Sequence, residues 1–337
     1  MNAGAATSGA GSNSSWMSLV AGEQVTPPEL TTLEEVITFR SDPTRDLSRH
    51  NVDLPPTVTV HEDVVLGELG DLPVRAEIYV PEGEGPFPML QYMHGGGWCW
   101  GKAEYVRKLG MSIAERGHVV VNLDYSLAPE HPFPRSIEES VYAARWMVRH
   151  GERYNGKPGP VAIGGASAGA NLATAAVIAL SGDEELLPDS DLAGVPVEFS
   201  AAILLYGIFN FPLLMQEPGS HAGGFAETLY NRAYLGPHYL MLHRAPLVSP
   251  ALSEDLGRMP PAYLTVGDQD ALLPQTLDLA KRLVDHDVPT TLSLVAGLNH
   301  SFAYIPHQLP DAAVELQRMF EWLAAHTGAA TASEVQP

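Results

Sequence analysis

Short apolar runs separated by helix-length stretches fill the chain from residue 88 onward, and this alternation restricts its architecture more than any other feature. Residues 88–94, 118–124, 161–164, 201–206, 262–266 and 290–295 are rich in Val, Ile, Leu, Ala, Tyr and Met. Stretches with helical periodicity or small-residue composition, at 136–150, 168–181, 272–284 and 311–325, stand between and after them. A short run that is apolar throughout suits a strand buried on both faces, and parallel strands need such helical crossovers. The expected fold class is therefore α/β, a mostly parallel central sheet with helices on both faces. Upstream, 58–66 and 74–80 alternate like paired strands and bring the sheet to about eight strands.

The rest of the chain divides around this core. Residues 1–15, mostly Ala, Gly, Ser and Asn, read as a flexible tail, as do 327–337. Within 16–50, Leu30, Leu33, Val36 and Ile37 recur at helical spacing, so this part is expected to hold a short amphipathic helix. The α/β domain is expected over 51–208 and again over 245–326. Between them, 209–244 breaks the alternation: it is rich in Phe, Tyr, Leu, His and Met without a clear period, and reads as an inserted cap.

Composition removes several classes of function. With 45% hydrophobic residues in 337, there is material for a sizeable core. The net charge of −21 opposes nucleic-acid binding, which needs Lys and Arg to displace counterions, and opposes docking on an anionic membrane. Cys99 is the single cysteine, so an intrachain disulfide or a cysteine-rich zinc site is excluded. It reads as a small buried filler. The first fifteen residues have neither the basic start nor the apolar stretch of a secretory signal, and no segment reaches the ~20 apolar residues of a membrane span. A cytoplasmic location is expected, with no metal or cofactor. His221, His238 and His243 are irregularly spaced without paired carboxylates, and read as cap residues rather than metal ligands.

Three local patterns carry chemistry. Gly164-Gly165-Ala166-Ser167-Ala168-Gly169 follows the run Val161-Ala162-Ile163 and opens the small-residue helix Ala170-Asn171-Leu172-Ala173. This is G-x-S-x-G in a strand–turn–helix setting. A nucleophilic hydroxyl must project above the sheet from a sharp, strained turn. Gly165 and Gly169 let strand and helix backbones pass closely there, and the helix start offers a free N–H at Ala168. A plain Gly-rich turn would carry the same letters.

The second pattern, His94-Gly95-Gly96-Gly97-Trp98, comes directly after Leu90-Gln91-Tyr92-Met93. Acyl transfer builds negative charge on a carbonyl oxygen, and backbone N–H groups reach it only where no side chain blocks approach. Each such donor is worth about 2.7–4 kcal/mol in the transition state. A flexible or phosphate-binding glycine loop is the alternative, but the Lys-Ser/Thr ending of a phosphate loop is missing. The third pattern lies near the C-terminus. Asp268 and Asp270 follow the run 262–266, and His300 follows 290–295. Groups at the C-terminal ends of parallel strands gather along one sheet edge. Singly, an aspartate caps helices and a histidine decorates loops; together they complete the chain order Ser…Asp…His.

These residues resemble the hormone-sensitive-lipase-like serine esterases of the α/β-hydrolase fold. The resemblance spans roughly 56–323 and rests on four stretches: His94–Trp98, Asp124-Tyr125-Ser126-Leu127-Ala128-Pro129-Glu130-His131-Pro132-Phe133-Pro134, the Ser167 turn, and Gly297-Leu298-Asn299-His300-Ser301-Phe302. It implies Ser167 as nucleophile, His300 as base and Asp270 as the acid, with Asp268 second. It also implies oxyanion donors at Gly96, Gly97 and Ala168, with Gly95 completing the motif. The residues 16–50 and 209–244 become a cap over the site. Phe209, Phe211, Phe225, Tyr230, Tyr234, Met215 and Met241 are candidates for an apolar pocket, and Trp98 and Trp100 for its walls. The sequence departs from the family at Ala166, where Asp is usual, at Ser126, where Arg is common, and at Ala271, where Pro follows the acid.

The implied function is hydrolysis of small, uncharged, short- to medium-chain acyl esters, and a homodimer is compatible with it. The same machinery could act on a lactone, an aryl amide or a formamide. A non-catalytic ligand receptor on this fold is a third class, which the retained His300 opposes.

Overall fold

The computed structural model describes residues 30–182, 186–187, 190–214 and 228–329, with the side chains of 30–33 and 228–231 left aside. Among the described residues, eight strands form one sheet. They are β1 (Val58–Leu69), β2 (Leu72–Pro81), β3 (Met89–Met93), β4 (Val119–Asp124), β5 (Val161–Ala166), β6 (Phe199–Leu205), β7 (Ala262–Gly267) and β8 (Thr290–Val295). Their order is β1-β2-β4-β3-β5-β6-β7-β8. Only β2 opposes its neighbours; β4, β3, β5, β6, β7 and β8 run parallel. All candidate catalytic turns therefore leave the same edge of the sheet.

Alternation along each strand explains the layers. Met89, Ile78, Val121, Ile163, Leu204 and Leu264 share one core with Ile137 and Val141 of α3 (Arg135–His150), with the small-residue helix α4 (Ala168–Ser181), and with Leu279 and Leu283 of α5 (Leu273–Asp285). Their neighbours Leu90, Tyr79, Val120, Ala162, Ile203 and Leu205 point the other way. They meet Leu109 and Ile113 of α2 (Arg107–Ala114) and Leu316, Met319 and Leu323 of α6 (Pro310–Thr327). The period of two in the strands thus divides the apolar residues between two helical layers.

Two stretches differ from the sequence reading. Helix α2 has no counterpart in it: eight residues with Gly110 inside carry too few turns for a periodic signal, and that glycine is there because a Cβ would lie 2.3 Å from the Tyr79 ring. At the other end, α6 runs to Thr327, two residues beyond the helix expected over 311–325. It closes on Gly328 in the left-handed conformation, with Ala329 buried. The N-terminal helix α1 (Leu30–Arg40) packs against the turns of Thr228–Leu235, beside the glycine loop.

Candidate active site

Ser167 occupies the turn between β5 and α4 with φ 54° and ψ −117°, a conformation that non-glycine residues adopt only when the surroundings force it. The forcing contacts are visible. A Cβ on Gly165 would lie 2.4 Å from the Gly169 carbonyl, and one on Gly169 would lie 2.1 Å from the Met93 oxygen. Backbone from β3, β5 and α4 meets here at distances that only glycine allows. The Ser167 N–H is held by the Leu205 carbonyl at 2.9 Å, so the turn is also anchored to β6.

β7 and β8 deliver the other two groups. His300 Nε2 lies 3.1 Å from Ser167 Oγ, and His300 Nδ1 lies 2.8 Å from Asp270 Oδ2. A carboxylate only accepts, so Nδ1 carries the imidazole proton and Nε2 is left bare to take the serine proton. The Asp270 side chain is wholly buried, and its second oxygen accepts the Leu272 N–H at 2.8 Å. Asp268 plays a different part. Its Oδ1 accepts the Gly297 N–H at 2.7 Å, tying together the two loops that carry Asp270 and His300 without touching the imidazole.

The glycine loop lies against the same turn. Gly95 donates its N–H to the Tyr304 hydroxyl at 2.8 Å, so this amide faces a phenol rather than the substrate side. The Gly95 carbonyl accepts from His94 Nδ1 at 2.7 Å, and the Gly96 carbonyl accepts from the Cys99 and Trp100 amides at 3.1 and 3.0 Å. In a trans peptide the N–H points opposite the carbonyl. Anchoring these two carbonyls therefore directs the next N–H groups, Gly96 and Gly97, the other way. A Cβ at Gly95 would stand 3.2 Å from Ser167 Cβ, which places the loop directly beside the nucleophile. The Ala168 amide, the first of α4, directly follows the serine.

A family model described as the α/β-hydrolase fold matches residues 90–304. The chain belongs to the α/β-hydrolase family, in its hormone-sensitive-lipase-like branch. Among relatives of this hydrolase is the carboxylic ester hydrolase LipN of Mycobacterium tuberculosis, 30% identical over 281 residues, which are 80% of this chain and 72% of LipN. Esterase LipI of the same organism is 29% identical over 278 residues, 80% of this chain and 82% of LipI. In fold, the hydrolase is similar to a bacterial heroin esterase, with a TM-score of 0.75, 24% identity and coverage of 87% of this chain and 92% of that one.

Of the residues proposed from sequence as pocket lining, Trp98, Phe209, Phe211 and Tyr234 are buried as packed core. Trp98 is stacked on Tyr234 with ring centroids 4.3 Å apart and tilted against Phe211 at 5.6 Å; Phe209, like these, is buried. Trp100 meets Phe39 of α1 edge to face. Gln275 of α5 fixes the root of the cap by accepting the Phe209 and Asn210 N–H groups at 3.0 and 2.8 Å. Met241 is exposed. Tyr230, Phe225, Met215 and His221 lie outside the described side chains. Among the described residues no group of three or more His, Cys, Asp or Glu is arranged for a metal ion, and His243 instead stacks on Phe211 at 5.6 Å. Cys99 is buried, and burial pushes its thiol up, far from thiolate chemistry.

Several groups that shape the site carry no signal in the sequence. Arg40, at the end of α1, donates to the Cys99 carbonyl at 2.5 Å and the Ala128 carbonyl at 2.5 Å, and pairs with Glu130. It joins the N-terminal helix to the loops after β3 and β4. The buried Glu139 accepts both the N–H and hydroxyl of Ser126 at 2.6 Å and pairs with Arg135. Serine at 126, a departure from the family, is thus bonded into the loop.

Proposed function

We propose that the protein is a serine carboxylesterase cleaving small, uncharged, short- to medium-chain acyl esters through an acyl-enzyme. The observation that carries this reading is the unbroken chain from Ser167 Oγ to His300 at 3.1 Å and from His300 to Asp270 at 2.8 Å. His300 takes the Ser167 proton as the hydroxyl adds to the ester carbonyl, and Asp270 stabilises the imidazolium and holds its tautomer. The tetrahedral oxyanion is stabilised by the Gly96, Gly97 and Ala168 amides. His300 then gives its proton to the departing alkoxide, and the alcohol leaves. Water repeats the attack on the acyl-serine with His300 again as base, releasing the acid.

Uncharged substrates fit the apolar group that Trp98 of the glycine loop forms with Phe211 and Tyr234, beside the buried Phe209. A cytoplasmic enzyme completes the reading, and so does a homodimer. The edge strand β8 supports the homodimer, since it leaves Leu292 and Leu294 largely exposed; light scattering tests it. For the activity, p-nitrophenyl esters from acetate to laurate are compared with lactones and anilides. The short and middle esters should turn over fastest, and Ser167→Ala should abolish that turnover. Hydrolysis that persists in Ser167→Ala would refute the assignment, and preference for an anilide or lactone would replace the substrate class.

A further inference from the structure

The peptide that begins the glycine loop is held at both ends by tyrosine hydroxyls. Its carbonyl, on His94, accepts from Tyr125 at 3.0 Å, and its N–H, on Gly95, donates to Tyr304 at 2.8 Å. Tyr304 ends the turn Phe302–Tyr304, four residues beyond His300. The loop that carries the base therefore also holds the loop that carries the oxyanion donors. We propose that Tyr304 is a positioning residue for the oxyanion hole, acting through the Gly95 amide and coupling the His300 loop to the glycine loop. This inference rests on the esterase reading.

The space around Gly95 leaves the peptide little freedom. A Cβ there would lie 3.1 Å from the Tyr304 oxygen, 3.2 Å from Ser167 Cβ and 3.0 Å from the Ala166 carbonyl. The main chain is thus wedged between nucleophile and phenol. Burial raises the Tyr304 phenol to about 12, the Gly95 bond pulling the other way, so the hydroxyl stays neutral and accepts through a lone pair. Phe302 and His300 each meet the Tyr206 ring edge to face, at 5.1 and 4.9 Å, which makes the His300 loop a packed unit rather than a loose connection.

Three successive peptides are consequently fixed by three kinds of partner. The 94–95 peptide has the two tyrosines, the 95–96 peptide has the His94 ring, and the 96–97 peptide has the Cys99 and Trp100 amides. Removing the Tyr304 hydroxyl strands a buried N–H, which is expensive enough to make the peptide turn or admit water. The donors one and two residues on turn with it. Losing an oxyanion donor outright costs about 10²–10³ in kcat, so a shared misalignment should cost roughly tenfold to a hundredfold.

Tyr304→Phe keeps the ring, and a fluorinated tyrosine placed at 304 keeps the shape while weakening the oxygen as an acceptor. With p-nitrophenyl acetate, kcat should fall roughly tenfold to a hundredfold in Tyr304→Phe while KM stays within about twofold. Affinity for a trifluoromethyl ketone, which adds to serine as an oxyanion, should weaken by the same factor as kcat. The fluorotyrosine enzyme should lie between wild type and the Phe variant, and it decides alone if the Phe variant does not fold. An unchanged kcat, a loss confined to KM, or a fluorotyrosine enzyme equal to wild type overturns the inference. A wild type without Ser167-dependent hydrolysis overturns the esterase reading instead, a result distinct from an active wild type matched by its Tyr304 variants.

Discussion

Replacing Asp270 by Asn removes a charge and reverses one hydrogen bond while leaving the volume almost unchanged. In the native site Oδ1 accepts the Leu272 N–H and Oδ2 accepts His300 Nδ1–H, both at 2.8 Å. An asparagine that keeps the Leu272 bond must turn its NH₂ toward His300. Two donors then face each other unless the imidazole moves its proton to Nε2, the nitrogen that has to receive the serine proton. The base is lost while the constellation stays in place. A wrong tautomer in a serine triad costs about 10⁴ in rate, close to 5 kcal/mol of transition-state stabilisation. Asp268→Asn is the matched control, because an amide oxygen still accepts the Gly297 N–H now held at 2.7 Å. Its kcat/KM for p-nitrophenyl acetate should stay within about tenfold of wild type, with thermal melting curves showing that both variants fold. If Asp268→Asn is the inactive one, or Asp270→Asn keeps a tenth or more of the activity, the assignment of the acid is wrong.

Four further variants have expected outcomes. Gly169→Ala puts a methyl 2.1 Å from the Met93 oxygen, and should lower stability by about 3 kcal/mol or more in urea unfolding, with activity lost alongside. His118 is buried against Thr327, and burial lowers its proton affinity to about 4. Below pH 6.5 the unfolded chain binds a proton the folded one refuses, so stability is lost as pH falls from about 6.5 to 4. His118→Gln should flatten that dependence, by up to about 3 kcal/mol, in unfolding curves taken across this range. Arg40→Ala should cut kcat several-fold and speed proteolysis of α1. Glu130→Gln should change stability by less than about 1 kcal/mol, because that half of the ion pair is 41% exposed and the two carbonyl bonds are what join α1 to the loops.

The parts of this molecule that were legible in its sequence are those written locally. All six apolar runs are strands, and the two alternating ones are β1 and β2; except in the edge strand β8, which has no fully buried residue, burial on one or two faces leaves a direct mark on residue type. Ser167 and the three glycines were legible because their geometry demands glycine at fixed offsets. Asp268 and Asp270 were not separable, since each follows the same strand and the choice depends on which carboxylate meets an imidazole thirty residues away. Tyr304 and Arg40 gave no signal, and Tyr125 only as part of a family stretch without a role: each acts through a contact with distant backbone, and a carbonyl or N–H has no letter of its own. The stretch 209–244 showed in the sequence only an absence of period. Thr228–Leu235 is π-helical, and its wider turn matches neither the strand nor the α-helix repeat.

A fluorophosphonate probe tests the central claim most directly, since it bonds only to a serine already activated by its neighbours. Intact mass and peptide mapping should show one adduct, on Ser167, formed at neutral pH together with loss of ester hydrolysis and absent from Ser167→Ala. No adduct on the folded protein, or an adduct on a different residue, would contradict the account.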